Sequence, residues 1–386
     1  MIGRKLAQPD RHPASTEEWT GLVDLPGFSN GRHTILMDGL AIDSGVCAIL
    51  RKLQLTAEQA LERNENFLLL KCAAPRNKAV VLKYSHSPES TQGRARISNE
   101  AALVKNLRPE KPLRFLKHYA DGENFLVTEF EEGELLAPNS DYEEALRKTV
   151  ADALIEFQLL RIVPAAIGVT QQTGLRAFYL KGLLKHLLHL CPGHVSLWDA
   201  LRCLGIVLSS LPLLGKTRVI CHGDLLPTNL IYKPAEKEIV FTDLESVLSE
   251  NHPLYDVLSF CTIDDGSIWQ WHWQKRFIAY YLQRANAVFH FDRHADDFLR
   301  ILRALMVFLL LCRLNESRAN LEGSLYFDGL SKWGYALRKV GRLITGGGRA
   351  GTGSRLPSLV IRKENLRTVL SKKLFHRHAS WLLESE

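Results

Sequence analysis

An α+β fold, with a small antiparallel β lobe ahead of a larger, mostly α-helical lobe, is what this 386-residue sequence predicts. Three observations carry that expectation. Runs of apolar and β-branched residues crowd the first third, at Cys47–Leu55, Phe67–Ala73 and Ala79–Ser85, with a Pro75-Arg76-Asn77 turn between the last two. Helical spacing dominates afterwards, as over Asp141–Leu160, where Leu146, Val150, Ala153, Leu154, Phe157 and Leu160 recur on one face. A single strand pair interrupts the helices: Asn229–Tyr232 and Ile239–Thr242 flank the polar turn Lys-Pro-Ala-Glu-Lys-Glu.

Composition sets the frame. Apolar residues make up 46% of the chain and charged residues 24%, enough for a sizeable core in an ordinary water-soluble protein. The net charge of +7 and a pI near 9.0 suit nucleotides and anionic surfaces as partners. No nucleic-acid partner is expected. The seven cysteines are scattered and form no C-x-x-C pair, which predicts reduced thiols and a cytoplasmic protein, and excludes a disulfide framework or zinc site. The first residues contain no apolar stretch of secretory type, and the longest apolar run, Ala304–Cys312, is too short to span a bilayer.

In chain order, residues 1–40 read as a polar N-terminal extension with a turn signal at Asn30-Gly31. The small lobe covers 41–136. Its third predicted strand holds Lys83 among apolar residues, where a cation is costly to bury unless it is paired. A helix is expected from Ile97 to about Leu107, capped by Ser98, with Glu100 in a first turn whose dipole favours a carboxylate. Arg114–Tyr119 and Asn124–Phe130, around Asp121-Gly122, complete five strands. The large lobe covers 137–345. Besides Asp141–Leu160, it is expected to contain helices at Leu180–Leu190, Leu197–Leu211 (stopped by Pro212), Trp273–Ala287 and Phe298–Leu314.

A Gly-rich linker spans 346–357. Its GGGRAGTG core has no following Lys-Ser/Thr and no preceding strand, so it is not a phosphate loop. Residues 358–386 form a basic amphipathic helix. Over Lys363–Leu383, Leu366, Val369, Leu370, Leu374, Phe375, Trp381 and Leu382 recur at helical spacing among Arg367, Lys372, Lys373 and Arg377. Two alternatives are open for it: packing on the large lobe, or peripheral contact with a membrane interface.

The chemistry concentrates at the strand pair. Asp224 precedes its first strand, Asn229 opens that strand and Asp243 closes the second. A hairpin brings Asn229 and Asp243 opposite one another, with Asp224 above them. A carboxylate and an amide oxygen suit Mg²⁺, a hard cation, so Asn229 and Asp243 are the candidate metal ligands. A second carboxylate nearby, Asp224, can accept the proton of an attacking hydroxyl. That is minimal equipment for phosphoryl transfer.

At these residues a resemblance becomes specific. His222-Gly223-Asp224-x-x-x-x-Asn229, followed by Asp243-x-Glu245 and Pro253-Leu254-Tyr255-Asp256, resembles the catalytic core of the aminoglycoside phosphotransferase and choline kinase-like superfamily. The resemblance implies a protein-kinase-like two-lobed fold and an ATP-dependent phosphotransferase. ATP and Mg²⁺ are the implied cofactors, and the γ-phosphate passes to a hydroxyl of a small molecule: an amino alcohol, a sugar or an aminoglycoside-like compound. Asp224 and His222 become the catalytic pair, Lys83 with Glu100 the pair that holds nucleotide phosphates, and Asp256 the anchor of the loop around His222. Backbone groups of Glu129 and Glu131 would meet the adenine edge, their side chains solvated.

The expected phosphate loop, Thr56–Asn66, contains no glycine and departs from the usual kinase pattern. Glu245 reads equally as a carboxylate beside the metal or as a solvated one. Trp269, Trp271 and Trp273 read as a helix start or as an aromatic cage for an ammonium group. Two other functional classes stay open: a catalytically silent nucleotide-binding scaffold, and a kinase acting on a membrane-associated lipid or glycolipid.

Overall fold

The computed structural model describes residues 35–37, 40–42, 44–63, 67–85, 91–136, 142–160, 174–191, 194–261, 272–289, 295–322 and 357–379. After a short hairpin of β1 (Ile35–Met37) and β2 (Leu40–Ile42), strand alternation builds the small lobe. Along β5 (Lys78–Ser85), Val80, Leu82 and Tyr84 point to one face while Val81 and Lys83 point to the other. The first set joins Leu68, Leu70 and Cys72 of β4 (Phe67–Ala74) and Val127 of β8 (Phe125–Glu129) in an apolar layer. With β3 (Thr56–Arg63) and β7 (His118–Asp121) these strands make a five-stranded antiparallel sheet ordered β3-β4-β5-β8-β7. Lys83 is thereby left on the face opposite that layer.

Two expectations in this lobe are corrected. Cys47–Leu55 is not a strand. Ser44–Lys52 is a helix, α1, whose buried Val46, Cys47, Ile49 and Leu50 follow helical spacing and cover the apolar layer. Thr56–Asn66 is not a loop either. Its first eight residues are β3, where pairing along β4 overrides the low β propensity of Thr-Ala-Glu-Gln-Ala-Leu-Glu-Arg. The phosphate-loop candidate shrinks to residues 64–66, outside the described residues.

The helix α2 (Thr91–Asn106) starts earlier than expected, so Ser98 and Glu100 lie in its interior. Glu100 owes its position to a partner rather than to the helix dipole. The expected Arg114–Tyr119 strand divides in two. Its first part, β6 (Leu113–Phe115), leaves the small-lobe sheet and pairs parallel with the hairpin strand β12 (Glu238–Phe241). With β11 (Leu230–Lys233) and β9 (Glu134–Leu135) they form a second sheet, ordered β6-β12-β11-β9. The predicted hairpin is present in the register Leu230↔Phe241 to Lys233↔Glu238.

Helices α3 (Glu144–Leu159), α4 (Leu175–Leu190), α5 (Leu197–Leu214), α6 (Leu254–Cys261), α7 (His272–Phe289) and α8 (Ala295–Glu322) build the large lobe. Phe157, Tyr179, Phe241, Phe260, Phe277 and Tyr281 are buried at its centre. Pro212 does not stop α5. It removes one hydrogen-bond donor within a turn of the end, and the helix continues far enough to bury Leu213 and Leu214.

The terminal helices α9 (Pro357–Leu370) and α10 (Lys372–Ala379) realise the packed alternative. Leu366, Val369, Leu370 and Phe375 lie in the large-lobe core. Arg303 donates to the Val369 carbonyl (2.8 Å) and Arg202 to the Leu370 carbonyl (2.7 Å). Those four apolar side chains are therefore buried, while Leu374 stays 44% exposed. The Gly346–Gly353 linker, Trp269, Trp271, Trp381, Leu382 and nearly all of the N-terminal extension lie outside the described residues, as does the side chain of Trp273.

Candidate active site

Segments of both lobes meet at one corner. Strand β10 (Val219–Cys221) pairs with β13 (Leu248–Asn251) and delivers the loop that begins at His222. Asp256, in the first turn of α6, ties that loop down by accepting the N–H groups of His222 (2.7 Å) and Gly223 (3.1 Å). Burial pushes the Asp256 carboxyl up to about 6, against the pull of His222 and of these two donors toward the charged form. Gly223 adopts φ +86, and a Cβ there would collide with the Ser246 carbonyl, so the tight crossing of two loops requires glycine.

His222 is fully buried, and its Nε2–H donates to the Thr242 carbonyl at 2.8 Å. It thus joins the loop to the end of the hairpin, and its fully buried ring does not open onto the cleft as the expected catalytic role would need.

Asn229 lies at the end of a 3₁₀ turn, just before β11. Its carbonyl accepts the Thr242 N–H (3.0 Å), placing Asn229 and Asp243 at the same end of the hairpin. Its side-chain Nδ2 donates to the Asp224 carbonyl (2.9 Å), which leaves the Oδ1 oxygen as the donor available to a metal. Asp243 itself is left-handed (φ 57, ψ 49), a conformation that aspartate tolerates better than most residues and that turns the chain sharply out of β12.

Lys83 reaches this corner from the small lobe. Its ammonium lies 2.9 Å from Glu100, 2.6 Å from Asp243 and 2.8 Å from Glu245. Burial alone would lower the lysine pKa, but the carboxylates of Glu100, Asp243 and Glu245 overcome it and hold the group well above its ordinary value. Burial would likewise raise Asp243, yet the facing Lys83 keeps that carboxyl below the usual range. Glu245 goes the other way: burial pushes it up despite Lys83. Arg96 of α2 holds its second oxygen at 3.0 Å, so Glu245 belongs to a buried ion cluster and is not solvated.

Ligand atoms of Glu100, Asp243 and Glu245 lie within 4.8 Å of one another. The Lys83 ammonium already lies within 2.9 Å of all three, so the cluster as a whole is a lysine site; Asp243, whose side chain is 40% exposed, is the member open to a hard cation such as Mg²⁺ beside Asn229.

Asp224 stands on the open side of the loop, its side chain 43% exposed. The guanidinium of Arg313, from α8, lies 3.3 Å from its Oδ1. Sequence reading missed this partner. The available signal was an arginine directly after the apolar run Ala304–Cys312, on a helix face that has to be buried.

The hinge also differs from expectation. Glu129 and Glu131 are not solvated. Arg114 contacts both, at 2.6 and 2.7 Å, and Lys233 adds a second partner for Glu131. The Glu129 N–H already donates to the Lys117 carbonyl (2.9 Å), which narrows that residue's hinge contribution to its carbonyl.

A buried lysine–glutamate pair from a β lobe, facing a loop aspartate, an asparagine and a hairpin-end aspartate from a helical lobe, defines a kinase-type phosphotransferase. The chain belongs to the phosphotransferase enzyme family, whose pattern matches residues 59–299. No curated protein matches it in sequence. Among solved structures it is similar to the aminoglycoside phosphotransferase APH(4)-Ia, with a TM-score of 0.55 and 15% identity over 79% of this chain and 99% of that one. It is also similar to the gentamicin complex of APH(2'')-IIa, with a TM-score of 0.55 and 14% identity over 83% and 99%. The streptomycin–ATP complex of the same enzyme matches with a TM-score of 0.53 and 14% identity over 78% and 97%. These likenesses establish the two-lobed kinase-like fold.

The Lys83–Glu100 contact is directly testable. Lys83→Ala removes the cation from three carboxylates, whereas Glu100→Ala leaves it two partners. The lysine variant is therefore expected to lose more stability, within the ~3–5 kcal/mol typical of a broken buried pair. The double variant is expected to cost less than the sum of the single ones in urea unfolding, and strict additivity would show that the pair does not interact.

Proposed function

We propose that this chain transfers the γ-phosphate of ATP to a hydroxyl group of a small molecule. The observation that carries the proposal is the convergence of Lys83, Glu100 and Asp243 on one side of the interlobe corner with Asp224 and Asn229 on the other. Asp224 orients the acceptor hydroxyl and takes its proton. Lys83, held by Glu100, meets the nucleotide phosphates, while the Glu129 carbonyl and the Glu131 backbone meet the adenine edge. Asn229 and Asp243 would hold Mg²⁺, which, when bound, offsets the charge of the phosphates. His222 and Asp256 keep the loop in register. The reaction is placed in the cytoplasm, in keeping with seven free cysteines.

Arg313 supports a reading of the acceptor class. A polycationic acceptor requires carboxylates that face it alone, but the carboxylate nearest the reacting hydroxyl already faces a guanidinium at 3.3 Å. A neutral or anionic hydroxy compound, such as a sugar, avoids that repulsion. Magnesium-dependent ATP turnover against a panel of sugars, hydroxy acids, amino alcohols and aminoglycosides tests both statements. Turnover is expected with a neutral or anionic member. Turnover confined to aminoglycosides would refute the acceptor class, and none with any member, alongside absent ATP binding, would refute the activity.

A further inference from the structure

The terminal helices bury their apolar sides, but another part of the large lobe does not. On α4, Leu180, Leu184 and Leu188 are exposed and lie in one line at four-residue spacing. On α5, Leu197, Trp198, Leu201 and Leu208 are exposed, the first two at 73% and 70%. A window of 18 residues on α5 has a mean hydropathy of 1.5, apolar enough to cross a membrane, although only 33% of it is buried.

The two helices pack against each other and both rest on α8. Phe178, Gly182 and His186 of α4 meet Phe308 of α8. Leu180, Leu184 and Leu188 follow those positions by two residues, about 200° around the helix, and so point away from α8. On α5, Ser210 meets the Arg300 carbonyl of α8, and Leu208 stands the same two residues from it. The exposed lines therefore form one outward face, larger than the scattered apolar residues that soluble surfaces carry.

Charge decides what covers it. Helix α4 contributes Arg176, Lys181 and Lys185 and no carboxylate. The one carboxylate on α5 is Asp199, which accepts from Ser196 (2.9 Å) and lies 3.8 Å from Arg202. A second copy docked by twofold symmetry would set these cations against their equals. An anionic lipid surface complements them, and leucines with a highly exposed tryptophan are the side chains suited to its interfacial zone.

We infer that the α4–α5 face docks the protein onto anionic phospholipid membranes, the leucines and Trp198 inserting at the interface and the basic residues of α4 meeting the headgroups.

The full chain is tested by co-sedimentation with phosphatidylcholine vesicles, with and without phosphatidylglycerol. Binding is expected only with the anionic lipid and is expected to weaken as salt rises. Arg176→Ala with Lys181→Ala is expected to lower affinity roughly fivefold for each cation removed, following ~1 kcal/mol per basic side chain. Leu184→Ser, Trp198→Ser and Leu201→Ser together are expected to abolish binding while the far-UV spectrum is kept. If that triple variant does not fold, Trp198→Phe alone serves, through an expected drop in tryptophan quenching by brominated lipids.

No binding at low salt, or binding and quenching unchanged in the variants, would overturn the inference. So would elution of the wild type as a dimer that the triple variant converts to a monomer, with no vesicle binding by either.

Discussion

Asp224→Asn is expected to lower phosphate transfer by roughly 10²–10⁴-fold while ATP affinity stays near wild type, because it removes only a positioned base. The split between the two readouts is the point of the experiment. Asp224 is not among the groups within reach of Lys83, and its side chain meets Arg313, on the helical lobe. Its main-chain carbonyl, which accepts from Asn229, survives the substitution. Asparagine preserves volume and leaves an oxygen for Arg313, so loop geometry should persist. Single-turnover rates and nucleotide titration together check the prediction. An unchanged rate would mean that another group takes the proton.

Asp243→Ala is expected to weaken Mg·ATP binding by ~100-fold or more, since even groups that merely support a metal ligand are worth 10–100-fold. Asp243 combines the greatest exposure of the three clustered carboxylates with the hairpin end that Asn229 shares. The fold should tolerate the loss, because Lys83 retains Glu100 at 2.9 Å and Glu245 at 2.8 Å. Alanine fits the left-handed region less well than aspartate, so the substitution adds a small backbone cost separate from the lost ligand. Calorimetry with and without Mg²⁺ separates metal-dependent from metal-independent binding. Wild-type affinity for Mg·ATP would exclude Asp243 as a ligand.

What was legible in the sequence was what is local or carries a physical debt. His222, Gly223, Asp224, Asn229 and Asp243 lie within one loop and one hairpin, so spacing alone brings them together. Lys83 in an apolar strand had to have a partner, and the resemblance to kinase-type folds named Glu100. The hairpin itself followed from two apolar runs around a polar turn. Long-range partners were not legible. Arg313 meets Asp224 across 89 positions, and Arg96 meets Glu245 across 149. No spacing rule spans such distances.

Local structure failed where pattern and context disagree. Val46, Cys47, Ile49 and Leu50 make a short apolar run that reads as a strand, but the sheet face they cover needs a helix. Thr56–Arg63 reads as a loop because its side chains are polar, yet the free edge of β4 recruits it into the sheet. Pro212 reads as a stop, but so near the end of α5 it disturbs little. The terminal helix was ambiguous for a different reason: the same apolar face suits a membrane or a core, and only the contacts with α8 decide.

The central claim is that this interlobe corner moves a phosphoryl group from ATP to a small hydroxy compound. Incubating the full chain with γ-labelled ATP, Mg²⁺ and a desalted extract of small metabolites measures it most directly, by following where the label goes. The account predicts label in a new, acid-stable small organic phosphate formed by the wild type and at least ~100-fold more slowly by Asp224→Asn. Label that remains in ATP or appears only as inorganic phosphate would contradict it, as would equal transfer by both proteins.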